Sequence, residues 1–218
     1  MVRGAPASPR GEDARRRILA AAAAVFAERG FDGAGVDEIA ARAGVNKAML
    51  YYHVGDKATL YGAVTTDFIG RIRAEIERRL AGLDDPLARL RTVQRTFLDV
   101  MYAHPHYPQL MQRELADGGT HLPPEALASM AEVMRITRSI LADGHRAGVF
   151  RPVHPLLAHL LIVSSAMFIM NAQRLRSRLD AQGLLPADTP PDLPSIADAL
   201  ADVVLHGIAV ETKSGGRK

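Results

Sequence analysis

The sequence predicts an all-α protein of about nine helices, divided into a three-helix N-terminal domain and a larger helical C-terminal domain. Three observations predict this. Apolar residues recur at helical spacing along most of the chain, with no convincing run of strand-like alternation. Glycine and proline fall between the periodic runs, where they close one helix and open the next. The 218 residues are 48% hydrophobic, enough to bury the core of one large domain or two small ones.

Each element follows from local signals. Ile18, Ala22, Val25, Phe26 and Arg29 fit an amphipathic helix closed at Gly30, because glycine adopts the left-handed conformation that ends helices. Val36–Ala43 is a short helix stopped by Gly44. Asn46 is a natural N-cap for a helix over 47–53, its side-chain oxygen accepting from first-turn amides. A long helix then carries Leu60, Val64, Phe68, Ile72, Ile76 and Leu80 on one side, and at 1.5 Å per residue extends about 35 Å. Asp84, Asp85 and Pro86 cap a helix running to His104, and Pro105 starts another that ends at Gly118 and Gly119. Pro124 and Pro155 open long helices over 124–147 and 155–179. A loop containing Pro186, Pro190, Pro191 and Pro194 precedes a last helix near 194–211. Residues 1–8 and 213–218 are expected to be a disordered arm and tail.

Composition excludes several classes of chemistry. There is no cysteine, hence no disulfide framework, thiolate nucleophile or cysteine metal site. The polar N-terminus lacks the apolar run of a secretory signal, and PLLAHLLIVSSAMFIM is read as a buried helix too short to span a bilayer, interrupted by His159, Ser164 and Ser165. A cytoplasmic protein with no membrane partner is expected. A net charge of +3 does not by itself point to nucleic acid, but the first seventeen residues hold five arginines against two acids. Arg10 and Arg15 to Arg17 fit either contacts to phosphates or the minor groove, or a solvated helix start.

The segment 39–60 carries the densest functional signal. Two short helices joined through a glycine turn form a helix-turn-helix when the second is held by one apolar face and exposes the other. Ile39, Ala40, Val45, Leu50 and Val54 supply the held face, leaving Lys47, Ala48, Met49, Tyr51 and Tyr52 outward. Lys47 can donate to guanine O6 or N7, while Ala48 and Met49 offer apolar contact to a thymine methyl. Tyr51, Tyr52, His53 and Lys57 carry donors suited to phosphate oxygens, and Lys57 sits where a helix dipole favours an anion. From spacing alone, Tyr51 and Tyr52 fit equally well as half-buried residues of an ordinary core helix.

GFDGAGVDEIAARAGVNKAMLYYHVGDKATLYGAV, residues 30–64, resembles the helix-turn-helix of TetR-family transcriptional regulators, and LYYHVGDK is close to the LYxHFxxK pattern at its heart. The resemblance implies a two-domain homodimer, with a DNA-binding domain over 9–56 and a ligand-binding and dimerisation domain over 57–212. It further implies binding to a palindromic double-stranded DNA operator and repression that ends when a small-molecule effector enters the C-terminal domain. It places base contacts at Lys47, Ala48, Met49 and Tyr51, and phosphate contacts at Tyr52, His53 and Lys57. Three positions depart from the pattern. Gly35 replaces a capping Thr or Ser, although Glu38 keeps half a capping box; Asn46 replaces a serine and Val54 a phenylalanine.

The last two long helices are apolar on more than one side. Leu156, Leu157, Leu160, Leu161, Val163, Met167, Phe168 and Met170 wrap one, and Ile196, Leu200, Val203, Val204 and Ile208 stripe the other. Such helices need two partners, and a twofold-related copy supplies the second, so a homodimer through these helices is expected. Phe68, Phe97, Met101, Tyr102, Tyr107, Met111, Met134, Met167 and Phe168 are candidate ligand-binding residues, with Tyr61 and Met130 beside them; all fit core filling as well. Arg135 and Arg138 fit an acidic effector or a solvated face. His104 and His106 are a loose pair for a metal, His154 and His159 are off one helical face, and His121 and His145 have no evident partner. No cofactor, metal or catalytic residue is expected, because no nucleophile elbow, HExxH or phosphate loop occurs. The alternative of another class is a helical dimer that binds a small molecule or metal without specific DNA binding.

Overall fold

Local capping fixes most helix boundaries in the computed structural model, which describes residues 9–189 and 192–209. Nine helices are formed among them: α1 Pro9–Gly33, α2 Val36–Ala43, α3 Lys47–Val54, α4 Lys57–Leu80, α5 Pro86–Ala103, α6 His106–Ala116, α7 Pro124–Arg146, α8 Pro155–Ala181 and α9 Leu193–Ile208. The one extended pairing among the described residues is an isolated antiparallel bridge between Phe150 and Ala209. The all-α expectation holds. The expected disordered ends, 1–8 and 213–218, lie outside the described residues.

Boundaries follow the expected caps to within a few residues. Gly44 takes the left-handed conformation, φ 66°, and closes α2. Asp85 caps α5 by accepting from the Ala88 amide at 2.7 Å, and Asp192 caps α9 through Ser195 at 2.8 Å. Two details differ from the sequence reading. At Gly30 the backbone breaks helical geometry with φ 73°, yet one more helical turn follows to Gly33. α6 starts at His106 and stops at Ala116, short of Gly118 and Gly119, because Glu114 and Arg113 already supply carbonyls to the closing turn.

The chain forms two compact units. One comprises 9–70 and 105–128, the other 71–104 and 129–209. In the first, Ile18, Val25, Phe26, Ile39, Leu50, Leu60, Val64 and Phe68 are buried. Phe26 meets Tyr61 edge-on at 4.8 Å between ring centres, and Phe68 stacks on Tyr107 at 4.4 Å.

In the second unit, Ile76, Leu90, Val93, Phe97, Ile140, Phe150, Ile162 and Leu205 form the core. Ion pairs border it, including Arg79 with Asp99 at 2.5 Å, Arg89 with Asp143 at 3.1 Å and Arg91 with Asp202 at 2.9 Å. α8 corrects one expectation, because its span Pro155–Gln173 is long and apolar enough to cross a membrane by length and composition. The apolar stretch read as too short ended at Met170, inside a helix expected over 155–179 and found over Pro155–Ala181. Ala158, His159, Ile162, Ala166 and Met167 along it are buried within the protein.

Candidate nucleic-acid interface

The turn between α2 and α3 is held from several directions. The Val45 amide donates to the Ala40 carbonyl at 3.1 Å, and the Arg17 guanidinium donates to the Ala43 carbonyl at 3.1 Å, satisfying the end of α2. Asn46 accepts from the Met49 amide at 2.7 Å. Ile39, Ala40, Leu50 and Val54 are buried and Val45 partly so. α3 is therefore fixed by its rear face.

The front face points to water. Lys47 and Ala48 are exposed, Met49 is 43% exposed and Tyr51 44%, while Tyr52 is 85% exposed. That exposure removes the core-residue reading of Tyr52. His53 is half-buried, and its ring stands edge-on to Tyr52 with centres 5.2 Å apart.

Two lysines of this surface have partners that the sequence reading missed. Lys47 Nζ lies 2.9 Å from Asp37 Oδ1 on α2, and this hydrogen bond raises the lysine pKa. Lys57 Nζ donates to the Asp32 carbonyl at 3.0 Å and stands 4.9 Å from the centre of the Phe31 ring, a cation–π contact. Phe31 is itself fixed. Its ring stacks on His121 at 4.3 Å and meets Tyr61 edge-on at 5.2 Å. Behind them Glu114, buried on α6, accepts from Tyr61 Oη at 2.7 Å and from the His121 amide at 2.6 Å, with His121 Nδ1 at 3.2 Å. Burial, then the Glu114 hydrogen bond, push the Tyr61 hydroxyl pKa up, so it stays a donor. His121 thus has the partners that no local pattern revealed, and His145 has one in the Phe150 carbonyl at 3.3 Å.

Charge at the edge of the motif is internally paired. Arg42 donates to Glu28 at 2.7 and 2.8 Å and to Glu38 at 2.6 Å, which raises the Arg42 pKa and lowers that of Glu28. Arg29 lies 3.8 Å from the same Glu38 oxygen. Gly35 makes no side-chain cap, and the carboxylate expected to supply half a capping box is turned to arginine instead. Of the N-terminal arginines, Arg16 pairs with Asp13 at 3.0 Å and Arg17 lies 3.4 Å from Asp13, whereas the Arg10 side chain lies outside the described ones.

The candidate ligand residues fall into both units. Phe68, Tyr107 and Met111 are buried in the first, and Phe97, Met101 and Met167 in the second, where Met134 is half-buried. Tyr102 and Phe168 are 66% and 72% exposed and take no part in either interior. Met134, Arg135, Arg138, His154 and Leu156 line one surface cleft. Among the described residues no three His, Asp or Glu side chains converge as a metal site requires.

The helix-turn-helix geometry agrees with the sequence comparisons. Residues 18–64 match bacterial regulatory proteins of the tetR family, and residues 86–189 match the tetracyclin repressor-like C-terminal domain. The chain belongs to the TetR family. It is a helix-turn-helix, DNA-binding, ligand-responsive transcriptional regulator. It is 29% identical over 163 residues to the transcriptional repressor NicS of Pseudomonas putida, spanning 73% of this chain and 76% of NicS. The transcriptional activator FasR of Mycolicibacterium smegmatis is 41% identical over 88 residues, 40% of each chain. Among solved structures, the ketosteroid transcriptional regulator KstR2 of Mycobacterium tuberculosis shares the fold with a TM-score of 0.70, at 22% identity over 97% of this chain and all of KstR2. A tetR-family protein from Rhodococcus RHA1 has a TM-score of 0.71, at 24% identity over 91% of this chain and 98% of its own.

Proposed function

We propose that this TetR-family regulator is a cytoplasmic, non-enzymatic repressor that binds a palindromic operator as a homodimer and is released by a small molecule. The observation that carries the reading is α3, held by Leu50 and Val54 while Met49, Tyr51 and Tyr52 face water. In the operator complex Lys47, Ala48, Met49 and Tyr51 meet base edges, and Tyr52, His53 and Lys57 meet phosphates. Residues 9–56 serve as the DNA-reading module, and 57–212 hold the effector and the dimer contact. The effector shifts α4 between two positions and so changes the separation of the two recognition helices. Half-sites recur about 34–36 Å apart, so a displacement of a few ångströms prevents simultaneous docking.

The test is binding to DNA from the protein's own upstream region across a salt series, repeated with Lys47→Ala, Tyr52→Phe and Lys57→Ala. A saturable complex of one dimer per operator is expected. Lys47→Ala relaxes sequence preference, while the other two weaken all duplexes alike. Equal effects of all three on every sequence would refute base reading by Lys47. Weak binding that is equal on all DNA and lost at moderate salt would favour a helical ligand-binding protein without an operator.

A further inference from the structure

The second unit contains a side chain that its own fold leaves unsatisfied. Gln94 on α5 is 1% exposed, and neither its amide nitrogen nor its carbonyl oxygen has a hydrogen-bond partner among the described residues. Buried polar groups in folded proteins nearly always have one, and leaving both ends of a carboxamide unmet costs stability. Leucine or methionine has similar volume and carries no such cost. The packing of the described residues therefore offers this amide no partner.

Apolar and polar side chains lie near it on α5 and on the helices packed beside α5. Phe97 and Met101 lie one and two turns along the same face of α5 and are buried. The Phe97 ring stands edge-on to the His159 imidazole of α8, their centres 6.2 Å apart. Thr137 Oγ1 lies 3.2 Å from the Val133 carbonyl and 3.2 Å from His159 Nδ1. The hydroxyl proton goes to that carbonyl, so the Thr137 oxygen accepts from Nδ1–H, and Nε2 is left as an acceptor. Burial lowers the His159 pKa, which keeps the ring neutral. Arg91 and Arg95, which flank Gln94 on α5, are paired with Asp202 and Asp198.

We propose that Gln94, His159 and Phe97 form the polar end of a ligand site whose occupant is an uncharged, largely apolar molecule carrying a carbonyl and an N–H or O–H donor. The Gln94 amide donates to the ligand carbonyl, and Gln94 Oε1 or His159 Nε2 accepts from its donor. Phe97 and Met101 seat the apolar body, the flexible thioether adjusting to its shape. A carboxylate is selected against, because it would lose its hydration with neutral groups alone to receive it. The proposal rests on reading the chain as ligand-responsive and specifies the chemical class of its effector.

The experiment compares octanamide with octanoate by calorimetry and thermal melting of the full-length protein at neutral pH. Octanamide is expected to bind and to raise the melting temperature, with octanoate weaker by about tenfold or more. Gln94→Leu abolishes octanamide binding and raises the melting temperature of the free protein, whereas an amide bonded to structural water would make the same variant less stable. Gln94→Met serves if the leucine variant does not fold, and His159→Phe weakens octanamide binding in a wild-type Gln94 background. Octanoate binding as tightly as octanamide, no binding of octanamide to folded wild type, or wild-type binding by the Gln94 variants overturns the proposal. Operator binding is measured on the same samples. Its presence without amide binding sinks this site alone, and amide binding without operator binding sinks the repressor reading alone.

Discussion

Asp37 and Lys47 form an exposed ion pair on the surface proposed to face DNA. Asp37 pairs with the lysine that begins α3 and adds a negative charge beside the place where DNA is proposed to lie. Asp37→Asn leaves the lysine free and removes that repulsion. The expected outcome is operator binding tightened several-fold with a steeper salt dependence, measured by fluorescence anisotropy at several salt concentrations. Unchanged or weaker binding would count against Lys47 as a DNA contact. Gly144 is set by sterics instead. A Cβ there would lie 2.0 Å from Cδ2 of the buried Phe150 ring. Alanine is ordinarily better than glycine inside a helix, but in Gly144→Ala overpacking dominates and costs about 1–3 kcal/mol, seen as a lower melting temperature. A higher one would show that Phe150 moves aside freely.

At the scale of elements, what was legible depended on sequence distance. Asn46 and Asp85 each cap an amide three residues away, and Gly44 closes the helix just before it, so composition and spacing located α2, α3 and α5 within a few residues. Lys57 is different, because its carbonyl partner is 25 residues back, and Tyr61 finds Glu114 at a separation of 53. No local pattern contains those pairs. Gln94 was legible in principle, since Leu90, Phe97 and Met101 bracket it at helical spacing and place it on the buried face, but an isolated glutamine reads as surface. The chain of contacts from Glu114 through His121 and Phe31 to Lys57 predicts coupling between α6 and the surface proposed to face DNA. Phe31→Leu should weaken operator binding two- to fivefold, about 0.4–1 kcal/mol, by removing the ring that positions the Lys57 ammonium. In a Lys57→Ala background the same change should do little, and a double-mutant cycle measures the difference. Additive losses would mean that Phe31 acts through stability alone.

For the whole molecule, the decisive feature is a helix face with nothing against it among the described residues. Leu157, Leu160, Leu161, Phe168 and Leu175 are all more than half exposed and share one side of α8, while the buried side carries Ala158, Ile162 and Ala166. Val203 adds an exposed apolar residue on α9. A row of large apolar side chains about five turns long is unfavourable in water, and we propose a second copy, packed about a twofold axis, as its occupant. Two changes on that row, Leu161→Glu and Phe168→Glu, place like charges opposite one another across the axis without touching the buried side. Sedimentation should then show monomers whose helical content and melting remain those of a folded chain. Each monomer still carries an intact α3, so it should retain weak, salt-sensitive binding to any duplex. It should lose the added affinity that comes from tying two recognition helices together, commonly about 100-fold or more. A variant that stays dimeric, or a monomer that binds the operator as tightly as wild type, would move the dimer contact elsewhere or remove the need for it.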